Sequence, residues 1–281
     1  AVKKAAFAAF GVAGLVGAAL AGAGGLAQGL FRNPLADPGL LGVSSGAAVG
    51  AAVVIVMGAA SSRIGINTGA CIGAAVCTWC VYRVGRTRWG LHVTRMLLVG
   101  VAVNALVSAA LAFLSYVATD QQLRNLMFWL LGSFNGAGWH AVGMTALALL
   151  VLIGLSWRFA TPLNVLALGE SEARHLGIRV EQLQQGVIVA VAVAVGISVA
   201  AVGTIGFVGL VVPHVVRMLC GPDHRRLLPA TMLLGALLMV LADLAARMML
   251  NPAELPIGVF TALVGAPFFV ALVIRSGRNT W

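Results

Sequence analysis

The 281-residue chain is 60% hydrophobic and 9% charged, with a mean hydropathy of +1.01; an average soluble domain is about 25% charged, so a soluble core of this size is excluded. A net charge of +10 would suggest nucleic acid in a soluble protein, but here it reflects basic loops gathered on one face of a membrane. The apolar runs are continuous rather than alternating, which excludes a closed β-barrel, and the 35 glycines suit close helix–helix approach. The expected fold is an all-α polytopic membrane protein, with residues 1–281 as a single transmembrane domain.

A span needs about 20 apolar residues. In chain order the candidates are Ala5–Phe31, Leu40–Ala60, Gly65–Tyr82, Met96–Ala118, Ala141–Trp157, Val187–Val202, Ile205–Leu219, Leu228–Ala246 and Ile257–Ile274. The basic start Lys3-Lys4 resembles a signal peptide, but the apolar run continues to Phe31, so it reads as a spanning helix. Asn33-Pro34 and Asp37-Pro38 bracket a stiff turn, because Pro fixes its own backbone and restricts the residue before it. Gly42, Gly46 and Gly50, and then Gly65, Gly69 and Gly73, are spaced to share one helix face each, as static packing or as an interface that moves. Cys71, Cys77 and Cys80 lie in an apolar run and read as small buried hydrophobes; Cys77-x-x-Cys80 has no second pair at zinc spacing.

Two connections are more than loops. Asp120–Gly138 is apolar and aromatic in its middle and reads as a short helix dipping into the membrane or capping a cavity. Gly203–Gly209 is a glycine-rich turn, and non-helical backbone at membrane depth is tolerated only where protein buries it or a cavity meets it. The long polar interruption is Thr161–Gln185, which carries Glu170, Glu172, Glu181, Arg174, His175 and Arg179. It reads as two short helices, Pro162–Leu168 and Glu170–Leu176, with Gly169 and Gly177 as breaks. Helices this short need something to lie against, and a partner protein is the expected surface. Thirteen of the 18 Lys and Arg residues fall on the side of this insert, which the positive-inside rule makes cytoplasmic, together with the carboxy terminus. The amino terminus then falls outside, and one further span ahead of Ala1 is expected.

Catalytic machinery is not apparent. The only lysines are Lys3 and Lys4, so a P-loop is excluded, and neither His-Glu-x-x-His nor Gly-x-Ser-x-Gly occurs. The intramembrane acid is Asp243, four residues before Arg247, where an i,i+4 ion pair is the plain expectation. A proton-coupled carrier would place acids at mid-membrane. An intramembrane enzyme would need His214 and Asp243 within hydrogen-bond reach. His140 beside Trp139 suits a membrane boundary, and His92 a solvated connection. A docking handle on a chain without an engine argues for a partner that hydrolyses nucleotide.

Four stretches, RNPLADPGLLGVSSGAAVGA (32–51), LNVLALGESEARHLGI (163–178), GTIGFVGLVVPHVVRMLCGPDHRRLLP (203–229) and ADLAARMMLNPAELPIGVFTALVGAPFF (242–269), resemble the FecCD-type permeases. These are membrane subunits of bacterial type II ABC importers for haem, iron–siderophores and cobalamin. The resemblance implies ten helices per subunit, the first preceding Ala1, and a homodimer or pseudo-dimer in the inner membrane. It further implies two cytoplasmic ATP-binding subunits and a periplasmic substrate-binding protein as partners, beside membrane lipid and without nucleic acid. ATP would sit on the partner, with no permanently bound cofactor, no metal and no catalytic residue on this chain. Leu163, Leu168, Gly169, Glu170, Ala173, Arg174, Leu176 and Gly177 match the ATPase-coupling segment. Asn33, Leu35, Val93 and Thr94 match the family's inner-gate positions, and Arg247 an outer arginine that pairs with a carboxylate on the binding protein. Where the family carries an Arg-Leu-Pro-Arg-like outer motif, this chain has Ala-Phe-Ala-Ala at 6–9. TDQQLRNLMFWLLGS (119–133) is similar to the haem-type branch, which ranks haem first as cargo, iron–siderophore second and cobalamin third.

Overall fold

The structure, a computed structural model, describes residues 2–58, 63–87, 90–91, 93–249 and 255–277. Its architecture follows from one helix rich in Ala and Gly. α1 (Val2–Phe31) runs through the middle, and most of its residues from Ala8 onward are buried. Small side chains let four neighbours close on it, namely α6 (Trp139–Leu166), α8 (Val180–Val202), α9 (Val208–Cys220) and α10 (His224–Met249). A Cβ added at Gly24 would overlap the Gly209 carbonyl, and one at Gly17 the Gly235 carbonyl. Backbones this close gain dispersion contacts that larger residues would forbid.

A second layer builds on α8. α2 (Val43–Val56) and α3 (Arg63–Gly85) pack as a tight hairpin, with α4 (Val93–Val117) across both. Gly46 meets the Gly73 carbonyl and Gly50 the Gly69 carbonyl. Gly42 also faces α3, towards Cys77 and Val81, but stands just before the helix. At φ 74 it is the left-handed link between a 3-10 turn (Pro38–Leu41) and α2, so the span predicted from Leu40 becomes a helix only at Val43. A two-residue antiparallel pair, β1 (Arg86–Thr87) with β2 (Gly90–Leu91), joins α3 to α4.

Among the described residues, six helices are long and apolar enough to cross a membrane, and three shorter apolar ones are Val43–Val56, Val208–Cys220 and Ile257–Ala271, the last within α11 (Ile257–Gly277). These nine fall on the nine spans read from the sequence. α5 (Asp120–Leu131) is the short helix expected before Gly138, closed at its start by a Thr119–Gln122 capping box. One expectation fails. Pro162 does not open a separate helix, because α6 runs through it unbroken to Leu166. Leu163 and Leu166 are buried, so tertiary packing holds the helix together past the residue that lacks an N–H. The cysteines differ too: Cys71, Cys77 and Cys80 are half-buried and Cys220 is exposed, since α3 lies at the edge of the bundle.

Candidate functional site

The polar insert forms where α6 leaves the bundle. Gly169, at φ 130, makes a reversal that a side chain would strain, and α7 (Glu170–His175) follows. Glu170 and Glu172 occupy the first turn of α7, and Arg174 and His175 the last, each sign at the helix end that favours it. α7 lies on the start of α8. Ala173 is buried there, its carbonyl accepts from Ile178 N–H at 2.9 Å, and Gln184 Nε2 donates to Glu170 Oε1 at 3.3 Å. Arg174 bridges to Glu181 at 2.7 Å on the surface. Gly177 turns the chain at φ 81. Leu168 and Leu176 flank this small helix and are 68% and 64% exposed. The residues read as one segment thus divide: Leu163 and Ala173 fasten the insert, while Leu168 and Leu176 face outward.

At the same end, α1 stops at Phe31, and Arg32 adopts a left-handed φ of 50. Asn33 Oδ1 accepts from Leu35 N–H at 2.9 Å, and Asp37 Oδ1 from Gly39 N–H at 2.6 Å, so two side chains fix the turn locally. Burial pushes the Asp37 carboxyl above the usual carboxylate range, against the pull of the Gly39 N–H. Asn33 and Leu35 are exposed, as is Thr94 on the first turn of α4; the side chain of Val93 lies outside the described residues, as does His92. His214 Nδ1 sits 3.4 Å from the Pro34 carbonyl oxygen.

The opposite end is closed by irregular backbone. Ser133 N–H donates to Val202 O at 2.8 Å, Ile257 N–H to Gly132 O at 3.2 Å, and Thr204 Oγ1 bonds the Leu130 carbonyl. The segment after α5, the 203–207 turn and the start of α11 therefore satisfy one another, as the burial rule for such backbone requires. Arg63 reaches the Gly136 carbonyl, and Gln122 Nε2 donates to Val56 O at 3.0 Å. Arg247 Nε lies 2.9 Å from Asp243 Oδ2, and its guanidinium stands 5.9 Å from the centre of the Phe10 ring. His214 and Asp243 thus belong to opposite ends. His214 lies beside Pro34, just past the end of α1, whereas Asp243 pairs with Arg247, which stands over Phe10. Phe10 and Phe31 are separated by roughly 30 Å of helix at 1.5 Å per residue. His214 and Asp243 form no catalytic pair.

Between α9, α10 and α11 lies an apolar recess of about 570 Å³, walled by Phe207, Val211, Leu238, Phe260, Val264 and Phe268. Its Thr261 hydroxyl is bound to the Gly258 carbonyl at 3.1 Å, so the wall offers shape and little polarity. No cluster of three or more His, Cys, Asp or Glu able to hold a metal occurs among the described residues.

One polar constellation was not singled out in the sequence. Asn164, near the end of α6, reaches the α9–α10 turn 59 residues away: its Nδ2 donates to Asp223 Oδ1 at 2.6 Å, and its Oδ1 accepts from His224 N–H at 2.9 Å. His224 Nδ1 is 2.7 Å from the same Oδ1. Since Asp223 fixes which way the amide faces, Nδ1 carries the hydrogen and Nε2 is left bare. Arg225 adds bonds to Thr161 Oγ1 at 2.9 and 3.1 Å. The Asp223 carboxylate is held below its ordinary pKa range by the Arg225 N–H and the Asn164 amide. The available signal was the Gly-Pro-Asp-His turn closing an apolar run.

The geometry defines a class: a bundle of membrane-spanning helices with a short, partly apolar helical insert at one end. The FecCD transport family profile matches residues 4–275, and the chain belongs to that family. It is 43% identical over 264 residues to the hemin transport system permease protein HmuU of Yersinia pestis, covering 93% of this chain and 79% of that one. It is 45% identical over 266 residues to the vitamin B12 import system permease protein BtuC of Salmonella paratyphi A, covering 94% and 80%. An inward-facing structure described as a metal-chelate type ABC transporter superposes with a TM-score of 0.87 at 38% identity, over 96% of this chain and 85% of that one. PsaBC from Streptococcus pneumoniae shares the fold at a TM-score of 0.64 and 19% identity, over 93% and 88%. The protein is a multi-pass permease of the ABC-importer class.

Proposed function

We propose that this permease moves haem across the bacterial inner membrane by alternating access at a homodimer axis, driven by two cytoplasmic ATP-binding subunits. The observation that carries the ATPase part is the pair Leu168 and Leu176, exposed on either side of a helix anchored at Ala173 and Glu170. Large apolar side chains in an otherwise charged insert mark a protein contact. Motion of the ATPases reaches the Arg32–Leu35 turn and the start of α4 at Val93 and Thr94, which act as the inner gate, as a two-state rearrangement. The insert and the carboxy terminus are cytoplasmic, by the excess of basic residues on that side.

At the other face a periplasmic binding protein delivers the cargo, with Arg247 as its docking charge, oriented by Asp243. Haem is supported by the 119–133 segment and by the likeness to a hemin permease; a vitamin B12 permease is about equally similar, so cobalamin is the competing cargo, beside iron–siderophores. ATP belongs to the partner, and no permanently bound cofactor is needed on this chain.

The docking role is tested by copurification. Leu168→Glu and Leu176→Glu should each weaken ATP-binding-subunit affinity about tenfold or more, because fully burying a Leu contributes about 1.5–3 kcal/mol and about 1.4 kcal/mol is tenfold. Unchanged retention by the double variant would overturn the assignment.

A further inference from the structure

The insert and the Arg32–Leu35 turn share an end of the bundle but belong to different helices, so something must connect them if one is to move the other. Hydrogen bonds and one packing contact, His224 against Gly29, supply a continuous path. Asn164 stands four residues before Leu168, on the stretch of α6 that becomes the insert. Its amide grips the α9–α10 turn twice, through Asp223 Oδ1 and the His224 N–H. The His224 ring, only 3% exposed, presses into the space that Gly29 leaves on α1; a Cβ there would come within 2.5 Å of Nε2. Gly29 in turn begins the turn itself, since its carbonyl accepts from Arg32 N–H at 3.3 Å and the neighbouring Gln28 carbonyl from Asn33 N–H at 3.1 Å. α9 touches the same turn a second time, with His214 beside Pro34 O.

The polarity of the path is unusual for a structural contact. His224 Nε2, and Nε and Nη2 of Arg217 on the last turn of α9, are buried with no hydrogen-bond partner among the described residues. Packing alone would place apolar groups there, because orphaned polar atoms cost about 1–3 kcal/mol each. A site that adopts two arrangements can leave groups unpaired in one of them.

We infer that Asn164 is a positioning residue which, with Asp223 and His224, transmits displacement of the insert to α1 and the Arg32–Leu35 turn. This rests on the docking reading above. The path is made of short side chains at both ends of each bond, so little displacement is absorbed on the way, and a two-state turn at its end supplies the response.

The test uses the complete complex with its ATP-binding subunit and binding protein in lipid nanodiscs. Leu35→Cys is introduced with Cys71, Cys77, Cys80 and Cys220 replaced by Ser, and its rate of labelling by a charged maleimide is read with and without ATP–vanadate. With the strut intact the rate should change about tenfold between nucleotide states, a usual size for coupling between sites. Asn164→Ala should keep the ATPase bound and hydrolysing while labelling loses its response to nucleotide. Asp223→Ala, at an exposed position, should do the same, and Asp223→Asn, which keeps the accepting oxygen, should restore the response. A full nucleotide response in both Ala variants would overturn the inference, as would loss of the response in step with loss of the ATPase. A native chain that fails to retain the ATPase would overturn the docking reading and this inference with it, whereas intact assembly with an unchanged response overturns the strut alone.

Discussion

Asp223 sits on an exposed turn, yet its carboxylate accepts from the Arg225 N–H and from the Asn164 amide, both of which favour the charged form. A carboxyl whose folded pKa is depressed contributes stability above its unfolded pKa, and that contribution is lost as pH falls through the folded value. Asp37, raised by burial, has the opposite sign: it favours the low-pH side, and its contribution fades as pH rises through its own folded value. Comparing the native chain with Asp223→Asn cancels Asp37. Thermal melts in detergent should converge as pH drops below about 4, where a free Asp protonates, and diverge above it, the native chain melting higher. Equal melts across the whole range would contradict the assignment. These residues were unequally legible in the sequence. The Asp37-Pro38 and Asn33-Pro34 turns were readable, because an Asx side chain bonds backbone two residues on and the signal is local. Asn164 and Asp223 meet across 59 residues, and nothing in their neighbourhoods encodes that pairing.

Among the elements, the α2–α3 hairpin makes the sharpest prediction. Gly46 and Gly50 lie against the carbonyls of Gly73 and Gly69, so any added side chain must push the helices apart. Gly46→Leu should destabilise the protein by at least the roughly 1–3 kcal/mol usual for overpacking, seen as a lowered melting temperature. Gly138→Ala, where a Cβ meets open space, should leave it nearly unchanged. Hydropathy located the spans well, because length and continuity of an apolar run are what a bilayer demands. It failed at Pro162 for a definite reason: Pro at the first turn of a new helix and Pro inside a continuing one look alike in sequence. The burial of Leu163 and Leu166 decides between them, and that depends on α1, α8 and α10. The 3-10 turn before α2 was likewise hidden inside an apolar run, and Gly42, which does face α3, is also its left-handed joint.

For the molecule as a whole, the proposed orientation rests on charge, since the 18 Lys and Arg residues divide unequally between the two sides, and the structure adds that the polar insert folds as a short helix at one end of the bundle. That α1 would be the central helix was also latent, in its run of Ala and Gly, which only makes sense for a helix surrounded by others. Cargo is another matter. The recess between α9, α10 and α11 is lined almost wholly by apolar side chains and offers few polar groups by which one cargo could be told from another. On the proposed reading, discrimination between haem, an iron–siderophore and cobalamin falls to the binding protein. Exchanging that partner for one of different specificity should change which cargo is transported without altering ATPase retention; unchanged cargo choice would place specificity in this chain.

The central claim is ATP-driven import through this permease, and uptake in proteoliposomes tests it most directly. The chain is reconstituted with its ATP-binding subunit, ATP on the ATPase side, and the binding protein with haem on the other. The account predicts haem accumulation that requires all three proteins and ATP, and that is abolished by Leu168→Glu with Leu176→Glu. ATP-dependent uptake of cobalamin or a siderophore in place of haem would correct the cargo alone. Haem uptake that proceeds without the ATPase, or a complete complex that hydrolyses ATP and moves none of the three cargoes, would contradict the account.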